Sequence, residues 1–420
     1  MKKQKKDDAQ KEHKRPWREV YATVEDIQNF LMDRVLLRHN VITRRVECRE
    51  PSGDVTDGTP WQPISDRIVN SLWSELSATK AVRAQDLYRV IESDFVPEYN
   101  PFTFYLEHLP PWDGRDDYIL ELSLSVCVKG DEQTQWQFYE YLRKWLVAMV
   151  AGWVDASVVN NVILVLIGEQ GSYKTTWFNY LLPPELSNYF YTKTNAQRMG
   201  RDDLLTLAQY GLVCCEELDT MRPSELNQLK AAVTMPSIDE RAAYAHYHEH
   251  REHIASFCGT GNNAQFLSDP TGNRRWLPFE VDSILSPREN PFDYEGIYSQ
   301  AYALYQQGFQ FWFGQADIQR LAAHNRQFET PQIEQELVDV FFRRPLDKEV
   351  GEYMPVSRAM QIIGGSITQH ISVSRLGQAF TSQGFEFKRT SHSRGYIVVQ
   401  RDAGEIKSHL TKLAEDGRVF

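Results

Sequence analysis

VILVLIGEQGSYKTTW, residues 162–177, decides the fold of this chain. Its first six residues are apolar and mostly β-branched or Leu, which predicts a buried strand. The strand stops at Gly168, a glycine-bearing turn follows, and the segment that begins at Lys174 can be helical. Strand, glycine loop, lysine, hydroxyl and helix form the order of a phosphate-binding loop. The stretch therefore predicts an α/β nucleotide-binding core.

The chemistry of the loop follows from its residue types. Gly168 and Gly171 allow the backbone to turn its N–H groups inward as an anion cradle, and the positive end of the next helix adds to it. Lys174 can reach the β- and γ-phosphates of ATP, and the Thr175 hydroxyl can hold Mg²⁺. The candidate nucleotide-binding residues are Gly168, Glu169, Gln170, Gly171, Ser172, Tyr173, Lys174, Thr175 and Thr176.

One position departs from the loop pattern. The pattern has a glycine directly before the lysine, and here Tyr173 stands there. A Cβ atom at this position restricts the backbone of the loop. The alternative interpretation is a strand-to-helix turn with an incidental glycine and lysine.

The composition is that of a globular protein. The 420 residues are 42% hydrophobic and 25% charged, and the net charge of −11 argues against a protein coated in nucleic acid. No apolar run has membrane-spanning length, and the charged residues 1–15 lack the apolar core of a secretion signal. The cysteines have no metal-ligand spacing and are predicted to be reduced core residues of a cytoplasmic protein; they are Cys48, Cys127, Cys214, Cys215 and Cys258.

Two further strands of the core end in polar side chains. Residues 211–215 form an apolar strand that runs into Glu216, Glu217 and Asp219. Acids in this position can bind Mg²⁺ and polarise the attacking water, and we favour Glu217, then Glu216, then Asp219. The predicted metal ligands are therefore Thr175, Glu216 and Glu217. Residues 254–259 form the next strand, and Asn262 beyond it can orient the water or bind the γ-phosphate. The alternatives are solvated acids and an ordinary turn asparagine.

Two adjacent arginines follow in DPTGNRRW, residues 269–276. Arg274 and Arg275 can stabilise transition-state charge on the nucleotide of a neighbouring subunit. The alternative is a pair of ordinary surface ion pairs.

Five segments occur in order along the chain: GEQGSYKTT, CCEELD, RAAY, FCGTGN and FLSDPTGNRRW. Together they resemble the virulence-associated protein E family, as do YLEHLPPWDGRD and the helix upstream of the loop. The resemblance covers residues 98–325, and FLSDPTGNRRW is its most specific part. That family contains phosphate-loop ATPases of phages and mobile elements, related to superfamily 3 helicases of the AAA+ class.

The resemblance implies nucleotide roles for matching positions of this chain. They are Lys174, Thr175, Glu217, Asn262, Arg274 and Arg275. Tyr173 is the position at which this chain departs from the general loop pattern. In superfamily 3 helicases a hairpin before the sensor strand grips single-stranded DNA. By analogy, stacking and phosphate contacts are expected from Tyr244, His246, His248, His250 and Arg251. The alternatives are a polar hairpin and, against the usual ligand spacing, a metal site.

The rest of the chain predicts further domains. We expect a charged tail (1–16), an α-rich N-terminal module (17–98), a helical connector (99–160), the ATPase core (161–282), a helical lid or linker (283–339) and a winged-helix-like domain (340–420). The last of these has 12 Lys and Arg against 8 Asp and Glu. Its candidate phosphate contacts are Arg375, Lys388, Arg389, His392 and Arg394. Winged helices also bind proteins, so both interpretations stand.

These features predict an ATP- and Mg²⁺-dependent DNA motor of the superfamily 3 type that replicates a phage or other mobile element. Its partners would be single-stranded or forked DNA, further copies of the chain in a hexameric ring, and a separate primase. One alternative is a nucleotide-regulated switch or defence scaffold that does not unwind DNA. Another is a winged-helix DNA-binding protein with a degenerate ATPase core.

Overall fold

A short sheet and three helices form the first unit of the fold. The computed structural model describes residues 21–51, 60–194, 201–240, 249–267, 273–330, 333–346, 349–365, 371–390 and 393–415. The elements of the first unit are α1 (Val24–Arg34), β1 (Leu36–Asn40), β2 (Arg45–Arg49), β3 (Gln62–Pro63), α2 (Asp66–Ser77), α3 (Ala84–Ile91) and β4 (Glu98–Tyr99). Thr23 and Asp26 cap α1 reciprocally, which satisfies two of the free N–H groups at its start.

The apolar pattern predicts one strand over residues 39–49, whereas the structure has a hairpin over residues 36–49. β1 and β2 pair antiparallel, with Leu36 opposite Arg49 and Asn40 opposite Arg45. The Asn40 side-chain oxygen accepts the backbone N–H groups of Ile42 and Thr43, so it closes the turn. This local hydrogen bonding reverses a chain whose apolar pattern alone predicts a single strand.

Three helices and a short edge strand lead into the core. They are α4 (Pro101–Glu107), α5 (Tyr118–Leu124), β5 (Val126–Val128) and α6 (Glu132–Val154). Helix α6 is buried on nearly every side from Phe138 to Trp153, which is more than the single buried stripe that its sequence predicts. The three- and four-residue spacing predicts Trp136 within that stripe, but it is 54% exposed because it precedes the buried part of the helix, which begins at Phe138.

A six-stranded sheet forms the centre of the molecule. Its further strands are β6 (Ile163–Ile167), β7 (Phe190–Lys193), β8 (Leu212–Cys215), β11 (Ser256–Gly261) and β12 (Trp276–Ile284), and a separate hairpin consists of β9 (Ser237–Glu240) and β10 (Glu249–Glu252). The sheet order is β5-β12-β6-β11-β8-β7, and all neighbours are parallel except β5 and β12. Strand β6 therefore lies between two strands that follow it much later in the chain.

Both faces of this sheet are buried, and side chains alternate between them along each strand. Leu164 and Leu166 of β6 pack in one core with α6 and α10 (Tyr294–Gln306). Ile163, Val165 and Ile167 pack in the other core. The remaining helices of this region are α7 (Lys174–Asn179), α8 (Arg201–Gln209), α9 (Pro223–Val233) and α11 (Gln315–Asn325). Burial on both faces explains the continuous apolar runs of the strands.

The buried cysteines behave as the sequence predicts, with one exception. Cys48, Cys214, Cys215 and Cys258 are buried free thiols, whereas Cys127 is free and exposed. Cys127 is on the edge strand β5, whose middle residue faces away from the core.

The C-terminal elements have a core of their own. They are α12 (Ile333–Phe341), β13 (Phe342–Arg343), β14 (Glu352–Pro355), α13 (Val356–Gly364), α14 (Val373–Ser382), β15 (Glu386–Arg389), β16 (Arg394–Gln400) and α15 (Ala403–Glu415). Helix α12, expected within a linker, contributes Leu337, Val338 and Phe341 to this core. The sequence predicts helices over residues 354–363 and 373–382 and strands over 385–389 and 395–401, and α13, α14, β15 and β16 lie within two residues of these limits.

Candidate nucleotide-binding site

The loop after β6 begins where only glycine fits. The Gly168 N–H donates to the Gly261 carbonyl of β11 at 3.1 Å, which fixes the start of the loop against the neighbouring strand. A Cβ atom on Gly168 would lie 2.8 Å from Val281 Cγ2 and 3.0 Å from the Val281 carbonyl oxygen. Gly171 has a φ of 89°, a left-handed conformation that glycine adopts without strain.

Tyr173 occupies the position at which the loop pattern has its second glycine, and it has a left-handed backbone conformation. Its φ is 61° and its ψ is 11°, and it is the residue directly before α7. A left-handed residue with a Cβ atom is strained by about 1–2 kcal/mol. The loop therefore has the backbone conformation that the pattern requires, at the cost of strain at Tyr173.

Lys174 lies folded against its own loop. Its Nζ donates to the carbonyls of Gly168 at 2.7 Å and Glu169 at 2.6 Å, and to Ser172 Oγ at 3.2 Å. The residue is buried, and this desolvation lowers the pKa of Lys174, while the charge of Asp219 partly opposes the shift. The ammonium group is thus held at the centre of the loop.

The acids after β8 face the same loop. Glu216 and Glu217 line one cavity of about 400 Å³ with Lys174 and Thr175. Glu217 has a φ of 54°, so among the described non-glycine residues two of the three left-handed ones are at this cavity. Backbone strain of this kind gathers at functional sites. The lining residues are Gln170, Gly171, Ser172, Tyr173, Lys174, Thr175, Thr176, Glu216, Glu217, Thr260, Gly261 and Asn262.

Asn262 reaches the cavity because β11 is the neighbour of β6. Gly261 pairs with Ile167, so the ends of the two strands are level and Asn262 follows immediately. Thr260 also lines the cavity, and the sequence analysis missed it because a threonine inside an apolar strand gives no local signal. The one feature of the sequence that could have identified Thr260 is its position two residues before Asn262.

Asp219 has a different position from the one that the sequence suggests. It does not line the cavity; its Oδ2 accepts the backbone N–H of Asn263 at 3.0 Å. It therefore connects the loop after β8 to the turn after β11. This contact joins residues that are 44 positions apart, so no local pattern identifies it.

Arg274 and Arg275 are at the opposite edge of the sheet. They form a 3-10 turn, Asn273–Arg275, directly before β12, and Trp276 pairs with Ile163 at the start of β6. The loop follows Ile167, so four residues of strand, on the order of 13 Å, separate the two levels. The arginines are far from the loop of their own chain.

The predicted hairpin contacts are only partly described. Tyr244, His246 and His248 lie outside the described residues, while β9 and β10 form the base of a hairpin. His250 pairs with Asp239 at 2.8 Å, and Glu240 is opposite Glu249. The hairpin base is thus rich in acids, which the analogy with a DNA-gripping hairpin does not predict.

The predicted basic residues of the C-terminal unit are exposed. Arg375 is on α14, Lys388 and Arg389 are on β15, and Arg394 begins β16. His392 lies outside the described residues. Phe387 is exposed beside Lys388, and the sequence analysis did not select it because an aromatic residue in a short strand is usually core.

The residues of the cavity fit a magnesium nucleotide. The loop supplies backbone N–H groups and an ammonium group for phosphates, and the Thr175 hydroxyl and Glu216 and Glu217 carboxylates are hard oxygen ligands of the kind that Mg²⁺ takes. Within the described part of the chain, the cavity included, no group of three or more His, Cys, Asp or Glu side chains is placed to hold a metal, so the Thr175 hydroxyl and the nucleotide would have to complete the ligand set.

The sheet and the loop at its carboxyl edge define a mixed α/β protein with a phosphate-loop-like site. Residues 106–330, more than half of the chain, match the model of the virulence-associated protein E-like domain. The chain therefore belongs to that family. No curated protein matches the sequence.

Two solved structures are similar to this chain. "The apo structure of NrS-1 C terminal region (305-718)" is 12% identical, covers 89% of this chain and 98% of that chain, and has a TM-score of 0.44. "SCCmec type IV Cch - active helicase" is 10% identical, covers 89% and 95%, and has a TM-score of 0.39.

The helices give no sign of a membrane span. In the described ranges, none is both long and apolar enough to cross a bilayer.

Proposed function

We propose that the chain is an ATP- and Mg²⁺-dependent DNA motor of the superfamily 3 type, which acts in the replication of a phage or other mobile element. One observation carries the proposal. The loop after β6, the acids after β8 and the asparagine after β11 surround one cavity at the carboxyl edge of a parallel sheet. Ligands of open α/β sheets bind at this edge.

Each residue of the cavity has a chemical role in the proposal. Lys174 releases its own loop carbonyls and neutralises charge on the β- and γ-phosphates. Thr175 and Glu216 hold Mg²⁺, which supplies further neutralisation when bound. Glu217 polarises a water for in-line attack on the γ-phosphate, and Asn262 orients that water or contacts the phosphate.

The arginines imply an oligomer. Because Arg274 and Arg275 are at the edge opposite their own loop, a second copy of the chain must supply them to the nucleotide. A closed arrangement of such head-to-tail contacts is a ring, and we propose a hexamer. The guanidinium group would stabilise charge on the transferred phosphoryl group.

DNA contacts are proposed at two places. The first comprises Tyr244, His246 and His248, which lie outside the described residues, together with His250 and Arg251 of β10. The C-terminal unit, proposed as a winged helix, presents the exposed basic residues of α14, β15 and β16. Its separate core supports treating it as a domain, although α12 packs with it.

Steady-state ATP hydrolysis, with and without single-stranded DNA, tests the proposal. We expect turnover that DNA stimulates, and a loss of at least about a hundredfold in Lys174→Ala and Glu217→Gln. Lys129→Ala and Glu289→Gln change exposed side chains outside the cavity and serve as matched controls. Strand separation on forked DNA that depends on Glu217 then distinguishes a helicase from an ATPase that does not unwind.

A second candidate is a nucleotide-regulated switch. The strained backbone at Tyr173 and the hydrogen bonds from Lys174 to the loop carbonyls favour a switch. Both oppose a rapid change of loop conformation around a nucleotide. ATP binding that Lys174→Ala removes, without turnover in any variant, would support the switch and contradict the motor. DNA binding that survives Lys174→Ala but requires residues 340–420 would instead support a winged-helix DNA-binding protein.

A further inference from the structure

The turn that carries Arg274 and Arg275 is held by a segment far along the chain, residues 325–330. Asn325, the last residue of α11, is 0% exposed. Its Nδ2 donates to the Asn273 carbonyl at 2.8 Å and to the Trp276 carbonyl at 3.1 Å. These two carbonyls flank the arginine pair on either side. One amide group therefore fixes both ends of the turn.

The other contacts of the segment fix the approach to the turn. Asn273 Nδ2 donates to Glu329 Oε1 at 2.9 Å. The N–H groups of Phe266 and Leu267 both donate to the Phe328 carbonyl, and the Thr330 N–H donates to the Leu267 carbonyl. Residues 267 and 273 are thus anchored to the same short stretch.

Helix α11 is itself fixed to the core. Lys144 of α6 forms an ion pair with Asp317 at 2.8 Å, and both side chains are largely buried. His324 donates through Nε2 to the Pro278 carbonyl of β12. The segment is therefore a rigid support for the turn, and it belongs to the region that follows the sheet.

The two arginines differ in their exposure. Arg274 is exposed and Arg275 is half-buried. Within the described residues, neither guanidinium forms an ion pair or a hydrogen bond. Arg274 is thus the more accessible of the two arginines.

We propose that Asn325 is a positioning residue, which aims Arg274 at the phosphates of a nucleotide bound to the next subunit. The inference rests on the proposed function. A buried amide that bonds two backbone carbonyls restricts the turn, and a displacement of 1 Å in a catalytic group can lower the rate by about a hundredfold. Asn325 touches no nucleotide, so its loss should affect turnover and spare nucleotide binding.

The test uses the full chain and a matched variant. Asn160 is also buried, and its Nδ2 also donates to two groups, the Trp145 carbonyl and Ser256 Oγ, at the edge of the sheet away from the loop. We expect Asn325→Ala to lower kcat by about tenfold to a hundredfold without a change in the Kd for ADP. Asn160→Ala should lower the unfolding temperature about as much as Asn325→Ala does, but it should keep most of the wild-type kcat.

Mixed oligomers separate positioning from misfolding. When Asn325→Ala is mixed with Lys174→Ala, an Asn325→Ala site faces an intact Arg274 from the Lys174→Ala subunit, so turnover should rise above that of either variant. Arg274→Ala mixed with Lys174→Ala should behave in the same way. Recovery with Arg274→Ala but not with Asn325→Ala would overturn the role of Asn325. Recovery with neither would overturn the arrangement between subunits, and the inference with it.

A binding measurement gives a second readout. Fluorescent ADP with aluminium fluoride mimics the transferred phosphoryl group, and an arginine aimed at it should prolong retention of the nucleotide. We expect Asn325→Ala and Arg274→Ala to lose this retention, while both bind ADP alone as wild type does. If wild type retains the mimic and Asn325→Ala retains it equally, the inference fails and the proposed function stands. If wild type neither hydrolyses ATP nor retains the mimic, the proposed function fails, and the inference fails with it.

Discussion

Tyr173 and Glu217 have an uncommon backbone conformation on opposite sides of one cavity. Both are left-handed, with φ values of 61° and 54°. At Tyr173 the conformation turns the loop toward the helix that begins with Lys174. At Glu217 it redirects the chain after β8 into a short 3-10 turn. The strain at both positions is maintained by the packed strands that precede them.

The strain at Tyr173 can be measured as stability. Tyr173→Gly should be more stable than Tyr173→Ala by about 1 kcal/mol, because both remove the half-exposed ring and only glycine removes the strained Cβ. The free energy of unfolding from urea denaturation measures the difference. Gln170 is exposed and is not left-handed, so Gln170→Gly should be less stable than Gln170→Ala. If the stability difference between the glycine and alanine variants has the same sign at both positions, backbone strain at Tyr173 is not its cause.

Among the elements, the loop after β8 and the turn after β11 are connected by Asp219. Asp219→Ala removes the acceptor of the Asn263 N–H and frees the turn that holds Asn262. We expect kcat for ATP to fall by about tenfold to a hundredfold, with little change in the Kd for ADP. Asp219→Asn keeps an acceptor oxygen and should recover most of the loss. Equal kcat values for the two variants would instead point to the charge of Asp219 near Lys174.

Two buried histidines make the packing of elements sensitive to acid. Burial lowers the pKa of both His253, which bonds the Met235 carbonyl through Nδ1, and His324, which bonds the Pro278 carbonyl through Nε2. The fold favours their neutral forms, while the unfolded chain binds protons near pH 6.5. Stability should therefore fall as the pH decreases from 7.5 to 5.

Substitutions that keep the hydrogen-bond donor but cannot titrate test the role of the two histidines. His253→Asn keeps a donor in place of Nδ1, and His324→Gln keeps one in place of Nε2, but neither titrates. The double variant should lose less unfolding free energy than wild type between pH 7.5 and 5. The same slope in the double variant and wild type would refute this explanation.

At the scale of the whole molecule, acidic and basic surfaces are separated along the chain. The chain has a net charge of −11, while residues 340–420 have 12 Lys and Arg against 8 Asp and Glu. Alanine at Arg375, Lys388, Arg389 and Arg394 should weaken DNA binding and reduce the slope of log K against log salt by about 0.9 for each lost contact to a duplex phosphate. Binding at several salt concentrations measures that slope.

A second set of arginines controls for net charge. Arg34, Arg67, Arg89 and Arg115 are exposed and belong to the N-terminal half of the chain. Their replacement by alanine removes the same charge and should leave the slope nearly unchanged. Equal losses in the two sets would indicate a general effect of charge, and would remove the C-terminal unit from the proposed DNA path.

The family and the phosphate loop could be predicted from the sequence because their signals are local. Gly168, Lys174 and Thr175 are within eight residues, and the acids follow directly on the apolar strand that ends at Cys215. The apolar periodicity also predicts helices over residues 84–91 and 373–382, and α3 and α14 have these limits, since side-chain periodicity acts within a few residues. The hairpin of residues 36–49 was missed because its turn depends on the hydrogen bonds of one asparagine.

The amino-acid sequence by itself determined the strand-loop-helix unit, the acids that follow a strand, and membership of the virulence-associated protein E-like family. The tertiary structure decided which strand ends meet. It placed β11 beside β6, and it directed Asp219 to the backbone of Asn263 instead of into the cavity. It also placed Arg274 at the opposite edge of the sheet, in a turn that is hydrogen-bonded to the Asn325 side chain. The physical reason is distance along the chain. Local patterns fix backbone angles within a few residues, whereas these contacts join residues at least 44 positions apart and form only when the whole sheet packs.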